Sequence, residues 1–346
     1  FWPASRQGRP KQLLPLARGK PLIQAAIDRL DGLVAPERIW IVTNARQRRL
    51  LGRLLLDFPI DQVLVEPEAR DTAPCVAFAS ATIAAQDPDA TVVVLPADHV
   101  IEPSSEFQRM VRRAAAVAAD GETLVTFGVV PTHPATGYGY VERGAALDGD
   151  EPRAFVVKSF REKPDAATAQ RFLDAGTFAW NAGIFVWQLR ALRRALERCA
   201  PELASATAQM LDALQKGQRT QLLRAFRTAP KTSIDYALME RADKVAMVES
   251  TARWDDVGSF PALAAVGDVD ETGNVSVLAQ GAAAVALDSR DNVVYAEGKR
   301  TVALFGMRDV VVAAVGDAVL VCPKERAHDL KALVEHLRRS GRADLL

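Results

Sequence analysis

The stretch of sequence that decides the fold reads Thr91-Val92-Val93-Val94-Leu95-Pro96-Ala97-Asp98. Its first five residues are almost uniformly apolar and mostly β-branched, a composition typical of a strand that is buried on both faces. A carboxylate follows just past the end of this run, at Asp98. The pattern therefore predicts a buried strand with an acidic side chain beyond its carboxyl end.

Further strands and amphipathic helices alternate on both sides of this stretch. The other predicted strands are 39–43, 63–65 and 123–127, and the predicted helices are 46–58, 74–85 and 105–119. Such βαβ alternation favours a parallel, doubly wound sheet. Because ligands bind at the carboxyl ends of the strands in that architecture, Asp98 is a candidate ligand-binding residue as well as a candidate turn residue.

The charge of the chain is balanced, with 43 Lys and Arg residues against 43 Asp and Glu residues. No net field therefore favours nucleic acid or an anionic membrane. No apolar run approaches the roughly 20 residues that a membrane span needs, and no signal-peptide pattern opens the sequence. Cys75, Cys199 and Cys322 lack metal-ligand spacing and fit reduced thiols. We expect a cytoplasmic enzyme or binding protein with neither a nucleic-acid nor a membrane partner.

The pattern changes twice in the second part of the chain. Extended segments and a helical block, residues 189–226, occupy the chain up to about residue 255. Six short strands then follow at turn-like intervals between residues 275 and 321, which is typical of a small all-β unit with a few coils of a β-helix. Pro323 opens an amphipathic helix, for which packing or oligomerisation is expected rather than catalysis.

Two other places carry charges suited to phosphate chemistry. Lys11 lies between two prolines before any complete strand, a poor structural choice but a good one for meeting a phosphate at the mouth of a sheet. Asp256 follows a second aspartate ahead of a Gly-Ser turn, where it could equally mark the start of a helix. Asp98, at its predicted strand end, offers a hard oxygen ligand of the kind that Mg²⁺ prefers. Spacing alone does not bring Asp256 to it.

The loop after strand 63–65 reads Glu66-Pro67-Glu68-Ala69-Arg70-Asp71-Thr72-Ala73-Pro74. By itself it predicts a capped helix start, with Asp71 or Thr72 as the N-cap.

Three later stretches combine glycines, aromatic rings and polar groups. They read Thr-Gly-Tyr-Gly-Tyr at 136–140, Phe-Arg-Glu-Lys-Pro at 160–164 and Trp-Asn-Ala-Gly-Ile-Phe at 180–185. The glycines would let the backbone approach a ligand closely, although a Gly/Tyr turn is more often only a turn. Other catalytic signatures are missing: the sequence has no P-loop, no Gly-x-Gly-x-x-Gly, no Gly-x-Ser-x-Gly and no zinc spacing among its histidines.

Taken in order over residues 1 to about 265, these segments resemble the motifs of the sugar-nucleotide pyrophosphorylases, and within them the mannose-1-phosphate guanylyltransferases. The resemblance implies that Lys11, Asp98, Lys163 and Asp256 are catalytic, with Asp98 and Asp256 sharing Mg²⁺. It implies nucleotide-binding roles for Lys11, Glu66, Arg70, Asp71, Thr72, Pro96 and Asp98. It implies sugar-phosphate-binding roles for Gly137, Tyr138, Glu162, Lys163 and Asn181. Asp71 departs from the Asn that is common in the family, which leaves the role of that side chain open.

The resemblance and the strand pattern together give an expected fold and domain organisation. The expected fold is α/β: the resemblance implies a Rossmann-like, doubly wound mixed sheet, and the pattern after residue 275 predicts a small C-terminal β-helix-like unit and a terminal helix. We expect a nucleotidyltransferase domain at 1–265 and the small β unit with its helix at 266–346, where a homodimer interface could form. The family motif begins with a Gly-rich loop that would precede Phe1. We therefore expect the native protein to carry that loop and its strand ahead of Phe1.

The activity implied is Mg²⁺-dependent transfer from GTP to mannose 1-phosphate, giving GDP-mannose and diphosphate. Two alternatives remain. One is a nucleotidyltransferase for a different sugar 1-phosphate, such as a heptose. The other is a non-catalytic regulatory subunit that binds GDP-mannose.

Overall fold

The computed structural model describes residues 1–6, 8–149 and 151–346. The helices α1 to α9 are, in chain order, Leu22–Asp28, Ala45–Leu54, Thr72–Ala84, Ser104–Val117, Ala166–Ala175, Leu189–Cys199, Pro201–Gln215, Arg219–Thr228 and Leu330–Arg339. The strands β1 to β17 are Ile41–Thr43, Val63–Val65, Thr91–Val94, Val100–Glu102, Leu124–Val129, Tyr140–Leu147, Ala154–Arg161, Phe178–Gln188, Val245–Glu249, Arg253–Asp255, Asp268–Val269, Val275–Ala279, Ala283–Leu287, Val293–Glu297, Thr301–Phe305, Val310–Val315 and Ala318–Pro323.

The chain forms two compact units, and neither is continuous in sequence. The first contains Phe1–Arg29, Ala97–Ile101 and Trp254–Leu346, and the second contains Leu30–Pro96 and Glu102–Arg253. These units therefore do not follow the boundary at residue 265 that separates the predicted domains. Segments from the start, the middle and the end of the sequence are brought together in the first unit.

The second unit is built on a six-stranded mixed sheet with the order β3-β8-β5-β9-β7-β6. As the family resemblance implied, the sheet is mixed. The parallel pairing expected from the βαβ alternation holds for β1 and β2, which form a separate pair. β3 and β5 run in the same direction but do not pair, because β8 lies between them and is antiparallel to both. Hydrophobic periodicity locates strands but does not say which strand inserts between two others.

The core of the second unit packs helices against this sheet. Its large, fully buried side chains include Trp187 on β8, Phe226 on α8 and Met210 on α7. The helical block predicted at 189–226 consists of three helices, α6, α7 and α8, because Pro201 begins one helix and Gly217, with φ of 65°, follows the end of that helix.

The first unit is dominated by parallel coils of a β-helix. β12, β14 and β16 stack in parallel register, and so do β13 and β15. Successive coils are 18 residues apart: Asn292 donates its main-chain N–H and its side-chain amide to Asn274 Oδ1, 18 positions earlier. The predicted β-helix-like unit is confirmed. After Pro323, the end of β17, the structure has a 3-10 helix at Lys324–Asp329 before α9 begins.

The same unit holds the N-terminal segment. Leu14, Leu16 and Leu22 are fully buried in one core with Tyr295 of β14 and Phe260. The residues around Lys11 therefore rest on the β-helix, and burial of these apolar side chains is the driving force that holds them there.

Candidate active site

Lys11 is the centre of a charged cluster in the first unit. It begins a 3-10 helix, Lys11–Leu13, after Pro10. Its Nζ lies 3.1 Å from Asp98 Oδ2 and donates to the main-chain carbonyl of Asp256 at 2.5 Å. The fold thus brings together three of the predicted site residues, Lys11, Asp98 and Asp256, although Lys11 and Asp256 are 245 positions apart in sequence. Both charged side chains of the ion pair remain partly exposed, so ligands can reach them.

Two side-chain contacts and a turn shape the acidic part of this cluster. Gln12 Nε2 donates to Asp98 Oδ2 at 3.4 Å. Asp256 Oδ1 accepts from Gly258 N at 3.1 Å, and Val257 between them has φ of 45° and no exposed surface. A β-branched residue rarely adopts a left-handed conformation, so this turn is held by its surroundings.

His99, next to Asp98, is held as a neutral ring. Burial lowers the pKa of His99 to about 4, against the opposing effect of the Asp98 carboxylate. Its Nδ1 accepts a hydrogen bond from Trp254 Nε1 at 3.2 Å, and the two rings make an edge contact. A ring that is neutral at pH 7 and already engaged supports a structural role, as its turn position indicated.

The donors around Lys11 fit a hard divalent cation. Asp98 presents a carboxylate oxygen at the Lys11 ammonium group, and Asp256 presents its main-chain carbonyl there, while the Asp256 carboxylate accepts from Gly258 N on the adjoining turn. Mg²⁺ is typically held by one or two carboxylates together with water and substrate phosphates. The described residues contain no group of three or more His, Cys, Asp or Glu side chains arranged to hold a metal. The chemistry of the donors therefore fits a metal that a phosphate ligand helps to bind, and does not fit a closed structural metal site.

Glu162, Lys163 and Asn181 form a second polar cluster, in the second unit. Glu162 and Asn181 are buried polar residues. Lys163 Nζ lies 3.0 Å from Glu162 Oε1, and this bond raises the pKa of Lys163. The Lys163 side chain is more than half exposed, and the residue has φ of 44°. The arrangement keeps a positive charge at the surface while anchoring it to a buried carboxylate.

Asp235 belongs to this cluster and was missed by sequence reasoning. It begins a π-helical turn, Asp235–Met239, and its Oδ1 accepts from Asn181 Nδ2 at 3.0 Å. Burial, and then the nearby Glu162 carboxylate, raise the pKa of Asp235 to about 6. An Asp that follows a helical block carries no strand-end signal, which is why its position in sequence did not single it out.

The side chain of Asn181 is fixed by the protein on both sides of its amide. Its Oδ1 accepts from Thr126 Oγ1 at 2.7 Å and from Gly183 N at 3.1 Å. With one amide hydrogen given to Asp235, the orientation of the group is set, and an amide has a second hydrogen to donate. Asn181 is thus a preorganised donor rather than a mobile surface residue.

The Thr-Gly-Tyr-Gly-Tyr stretch packs against this cluster. A Cβ added at Gly139 would lie 2.4 Å from Glu162 Oε2, whereas one added at Gly137 would meet nothing within 4 Å. A side chain at position 139 would therefore force the Glu162 carboxylate to shift. The Tyr138 ring lies 5.1 Å from that of Trp180, which precedes Asn181.

The loop that precedes α3 is partly engaged in holding the helix and its neighbours. Asp71 is the N-cap, with φ of 71°, and its Oδ1 accepts from Thr72 N. Thr72 Oγ1 accepts from Ile234 N at 2.9 Å, which ties this loop to the residue before Asp235. Arg70 donates to the carbonyl of Ala229 and pairs with Glu68. The capped helix start predicted from the residues is thus present, with Asp71 as the cap.

Two other predicted nucleotide-binding residues also lie in the second unit. Burial raises the pKa of Glu66, which directly follows β2. Pro96 follows β3 after Leu95 and lies 3.7 Å from the position of a Cβ at Gly183. The described structure thus gives three local groups of predicted site residues, one in the first unit and two in the second.

The nucleotidyl transferase family model matches residues 1–272, and a model of the MannoseP isomerase/GMP-like β-helix domain matches residues 282–337. The chain belongs to the nucleotidyl transferase family. The predicted membership of the sugar-nucleotide pyrophosphorylases is thereby confirmed, and the protein is an enzyme of the nucleotidyltransferase type.

Similar proteins cover nearly the whole chain. The xanthan biosynthesis protein XanB of Xanthomonas campestris pv. campestris (strain B100) is 37% identical over 99% of this chain and 72% of its own length. A mannose-1-phosphate guanylyltransferase of Klebsiella pneumoniae is 35% identical over 99% of this chain and 72% of its own. A crystal structure titled mannose-1-phosphate geranyltransferase, from Thermus thermophilus, superposes with a TM-score of 0.86 and 34% identity, over 98% of this chain and 95% of that one.

The predicted α/β fold with its all-β C-terminal part is confirmed by the same matches. In the part of the chain that the structure describes, none of the helices has the length and apolar character needed to cross a membrane.

Proposed function

We propose that this protein is a mannose-1-phosphate guanylyltransferase, which converts GTP and mannose 1-phosphate to GDP-mannose and diphosphate. The observation that carries the proposal is the ammonium group of Lys11, placed between Asp98 and Asp256. Relatives that bear this name and align over 99% of the chain support the choice of substrates.

The reaction requires positioning and charge neutralisation rather than a general base. An oxygen of the sugar phosphate attacks the α-phosphorus of GTP, the bond between that phosphorus and the bridging oxygen breaks, and diphosphate leaves. A phosphomonoester is already a nucleophile at neutral pH, which agrees with the neutral, engaged His99. Catalysis then rests on preorganised charges around two polyanions.

In the first unit we assign the nucleotide phosphates to Lys11 and the metal to Asp98 and Asp256. Mg²⁺, when bound, would neutralise phosphate charge and act as a Lewis acid at the α-phosphate. Lys11 already contacts both acidic positions, so its ammonium group can neutralise phosphate charge at the same place. Gln12 orients the Asp98 carboxylate by its hydrogen bond.

In the second unit we assign the mannose hydroxyls to Glu162 and Asn181 and the sugar phosphate to Lys163. Asn181 is held in one orientation by Thr126 and Asp235, so its second amide hydrogen would meet a hydroxyl at little entropic cost. The exposed ammonium of Lys163 suits a phosphate. Gly137 and Tyr138 would line the sugar.

Guanine recognition is assigned to the loop at Glu66, Arg70, Asp71 and Thr72, with Pro96. The half-buried Glu66 carboxylate is the acceptor we assign to the N1–H and amine of the base. A site that hydrogen-bonds a polar edge rejects a ligand lacking it by a large factor, on the order of 10⁴. Asp71 and Thr72 would act through the helix start that they hold in place.

Further proposals concern the whole chain. We assign nucleotidyl transfer to residues 1–265 and assembly to residues 266–346. The assembly is a homodimer through the face of β13 and β15, where Val285, Leu287 and Phe305 are exposed. Cys75, Cys199 and Cys322, all among the described residues, are free thiols, which supports a cytoplasmic location.

The test is a substrate panel read by diphosphate release. Purified protein with Mg²⁺ is given each of GTP, ATP, UTP and dTTP with mannose, glucose or heptose 1-phosphate. We expect the highest kcat/KM with GTP and mannose 1-phosphate. A higher value with another sugar phosphate would favour the first alternative. GDP-mannose binding without diphosphate release from any pair would favour the regulatory subunit.

A further inference from the structure

The β-helix carries a buried carboxylate that reaches the segment containing Lys11. Glu297, the last residue of β14, is 4% exposed. One of its oxygens pairs with Arg9 Nη1 at 2.6 Å, and the other accepts from the hydroxyl of Tyr295, which is fully buried. All three residues belong to the first unit. Burial, and then the bond to Glu297, raise the pKa of Tyr295, so its hydroxyl keeps its proton and remains a donor.

The Arg9–Glu297 ion pair differs from the nearby Arg6–Asp317 ion pair in how deeply its carboxylate is buried. Arg6 Nη2 contacts Asp317 at the same distance, 2.6 Å, but the Asp317 side chain is 63% exposed against 5% for that of Glu297. Exposed ion pairs contribute little because water screens them. Removal of one partner from a buried pair is costly because it leaves the other charge poorly solvated. Of the two pairs, Arg9–Glu297 is therefore the one that can fix the backbone.

The backbone between Arg9 and Lys11 transmits that restraint. Arg9 N donates to Arg6 O and Arg6 N donates to Arg9 O, so the backbones of these two residues are paired. Pro10 follows with φ of −67°, and the 3-10 turn then bonds Leu13 N to Pro10 O and Leu14 N to Lys11 O. Because the ring of Pro10 fixes its φ, a displacement of Arg9 carries over to the Cα of Lys11.

We propose that Glu297 is a positioning residue. Its buried ion pair with Arg9 anchors the Lys11 segment to the β-helix and so holds the Lys11 ammonium group between Asp98 and Asp256. The role assigned to Lys11 in the reaction rests on the proposed function, whereas the restraint on residues 9–14 does not. A small misplacement of a charged group relative to reacting phosphates is enough to lower the rate strongly. The β-helix would thus contribute to catalysis without touching substrate.

The first experiment tests the restraint without any substrate. Hydrogen exchange of the peptide that contains residues 9–14 is measured by mass spectrometry in wild type, Glu297→Gln and the matched control Asp317→Asn. We expect exchange at the amides of Leu13 and Leu14 to accelerate about tenfold or more in Glu297→Gln, since loss of a buried pair lowers the cost of local opening. Asp317→Asn should exchange like wild type. Unchanged protection in Glu297→Gln overturns the proposal.

The second experiment asks whether Glu297 acts through Lys11. Glu297→Gln should lower kcat about tenfold with KM for mannose 1-phosphate within about twofold of wild type, because only one preorganised charge is displaced. In a Lys11→Ala background the same substitution should cause no further loss, whereas a merely structural role gives losses that multiply. Multiplied losses overturn the proposal. Absence of activity in wild type contradicts the proposed function instead. In that case the hydrogen-exchange measurement alone tests whether Glu297 restrains residues 9–14.

Arg9→Gln is the second variant if Glu297→Gln does not fold, as judged by circular dichroism. It removes the arginine, which is the more exposed partner of the ion pair, and leaves the Glu297–Tyr295 hydrogen bond in place. The same faster exchange and the same epistasis with Lys11→Ala are expected, and wild-type behaviour in both measurements overturns the proposal.

Discussion

Lys11 connects three distant parts of the sequence through a single amino group. Its ammonium group pairs with the carboxylate of Asp98 and donates to the main-chain carbonyl of Asp256, so it ties the two acidic segments to one point. A lysine suits this position because its compact charge has three donors that can be shared among several oxygens.

Lys11→Ala should therefore lower turnover by roughly 10²–10³, as loss of one preorganised charge does. The same range is expected for Asp256→Ala. The measurement is kcat for diphosphate release with GTP and mannose 1-phosphate. Lys20→Ala, which removes an exposed lysine paired with Asp28 in the same unit, is the control and should leave kcat unchanged. Near-normal turnover in Lys11→Ala would remove this residue from the mechanism.

Asp235 makes stability depend on pH. Its folded-state pKa of about 6 lies above the ordinary value of 3.8, so the folded protein binds a proton more tightly than the unfolded chain does. Stability contributed by this group is therefore present below about pH 4 and is lost as pH rises towards and through 6. Above pH 6 the buried charge costs at most about 3 kcal/mol, at about 1.4 kcal/mol per pKa unit.

Asp235→Asn should remove that dependence, because an amide oxygen can still accept from Asn181. We expect the thermal midpoint of the variant to exceed that of wild type at pH 7.5 and to approach it at pH 4.5. The measurement is thermal unfolding followed by circular dichroism across this range. A difference between the two proteins that is the same at every pH would contradict the raised pKa.

At the scale of single elements, the start of α3 combines a cap with an unusual backbone angle. Asp71 caps the helix at φ of 71°, and Asn, the common residue in the family, both caps helices and tolerates positive φ. Asp71→Asn should therefore keep the thermal midpoint of wild type. Asp71→Ala should lose about 1–3 kcal/mol, from the missing cap and the strained φ together.

The matched control is Asp165→Ala at the start of α5. Asp165 caps that helix by accepting from Thr168 N at 2.8 Å, but its φ is an ordinary −67°. This variant should lose only the contribution of a cap, about 1 kcal/mol. Equal losses at the two positions, measured by denaturant unfolding, would show that the angle at Asp71 carries no strain.

Gly139→Ala tests whether the Glu162 carboxylate, which lies against Gly139, must keep its position for sugar binding. The new methyl group would lie 2.4 Å from Glu162 Oε2, and a clash of this kind in a packed site costs roughly 1–3 kcal/mol. We expect KM for mannose 1-phosphate to rise about 5- to 100-fold, since Glu162 must move. Gly52→Ala, whose methyl group would meet only Ile60 Cδ1 at 3.4 Å, serves as the control. An unchanged KM in Gly139→Ala would argue against Glu162 as a sugar ligand.

At the scale of the whole molecule, the β-helix exposes apolar side chains in register. Leu287 and Phe305 are directly paired in the β13–β15 ladder and are 60% and 74% exposed. Contiguous exposed apolar surface on a sheet commonly marks an interface. A second copy of the chain is the partner we propose for it.

Phe305→Asp should accordingly convert a dimer to a monomer, because a charge at a paired apolar face is left desolvated in the interface. The measurement is molar mass by light scattering after size exclusion, at several protein concentrations. Leu56→Asp changes a residue that is 81% exposed in the other unit and should leave the dimer intact. A monomeric wild type would contradict the proposed interface.

Local patterns predicted most of the elements. The apolar runs at 283–287 and 301–305 are strands with those bounds, because such a pattern depends only on nearby residues. The 18-residue spacing between Asn274 and Asn292 is present in the sequence, but two asparagines alone do not identify a repeat. The insertion of β8 between β3 and β5 had no comparable signal, since strand order depends on long-range pairing.

By itself, the sequence determined the family, the kinds of elements and the residue types at the predicted site, because motifs and periodicity are short-range features. Only the tertiary structure decided which of those residues meet. It brought Lys11 to Asp98 and Asp256, placed Asp235 beside Asn181 and joined Arg9 to Glu297 across 288 positions. Such contacts are set by the packing of buried side chains throughout a unit, and no local stretch of sequence contains that information.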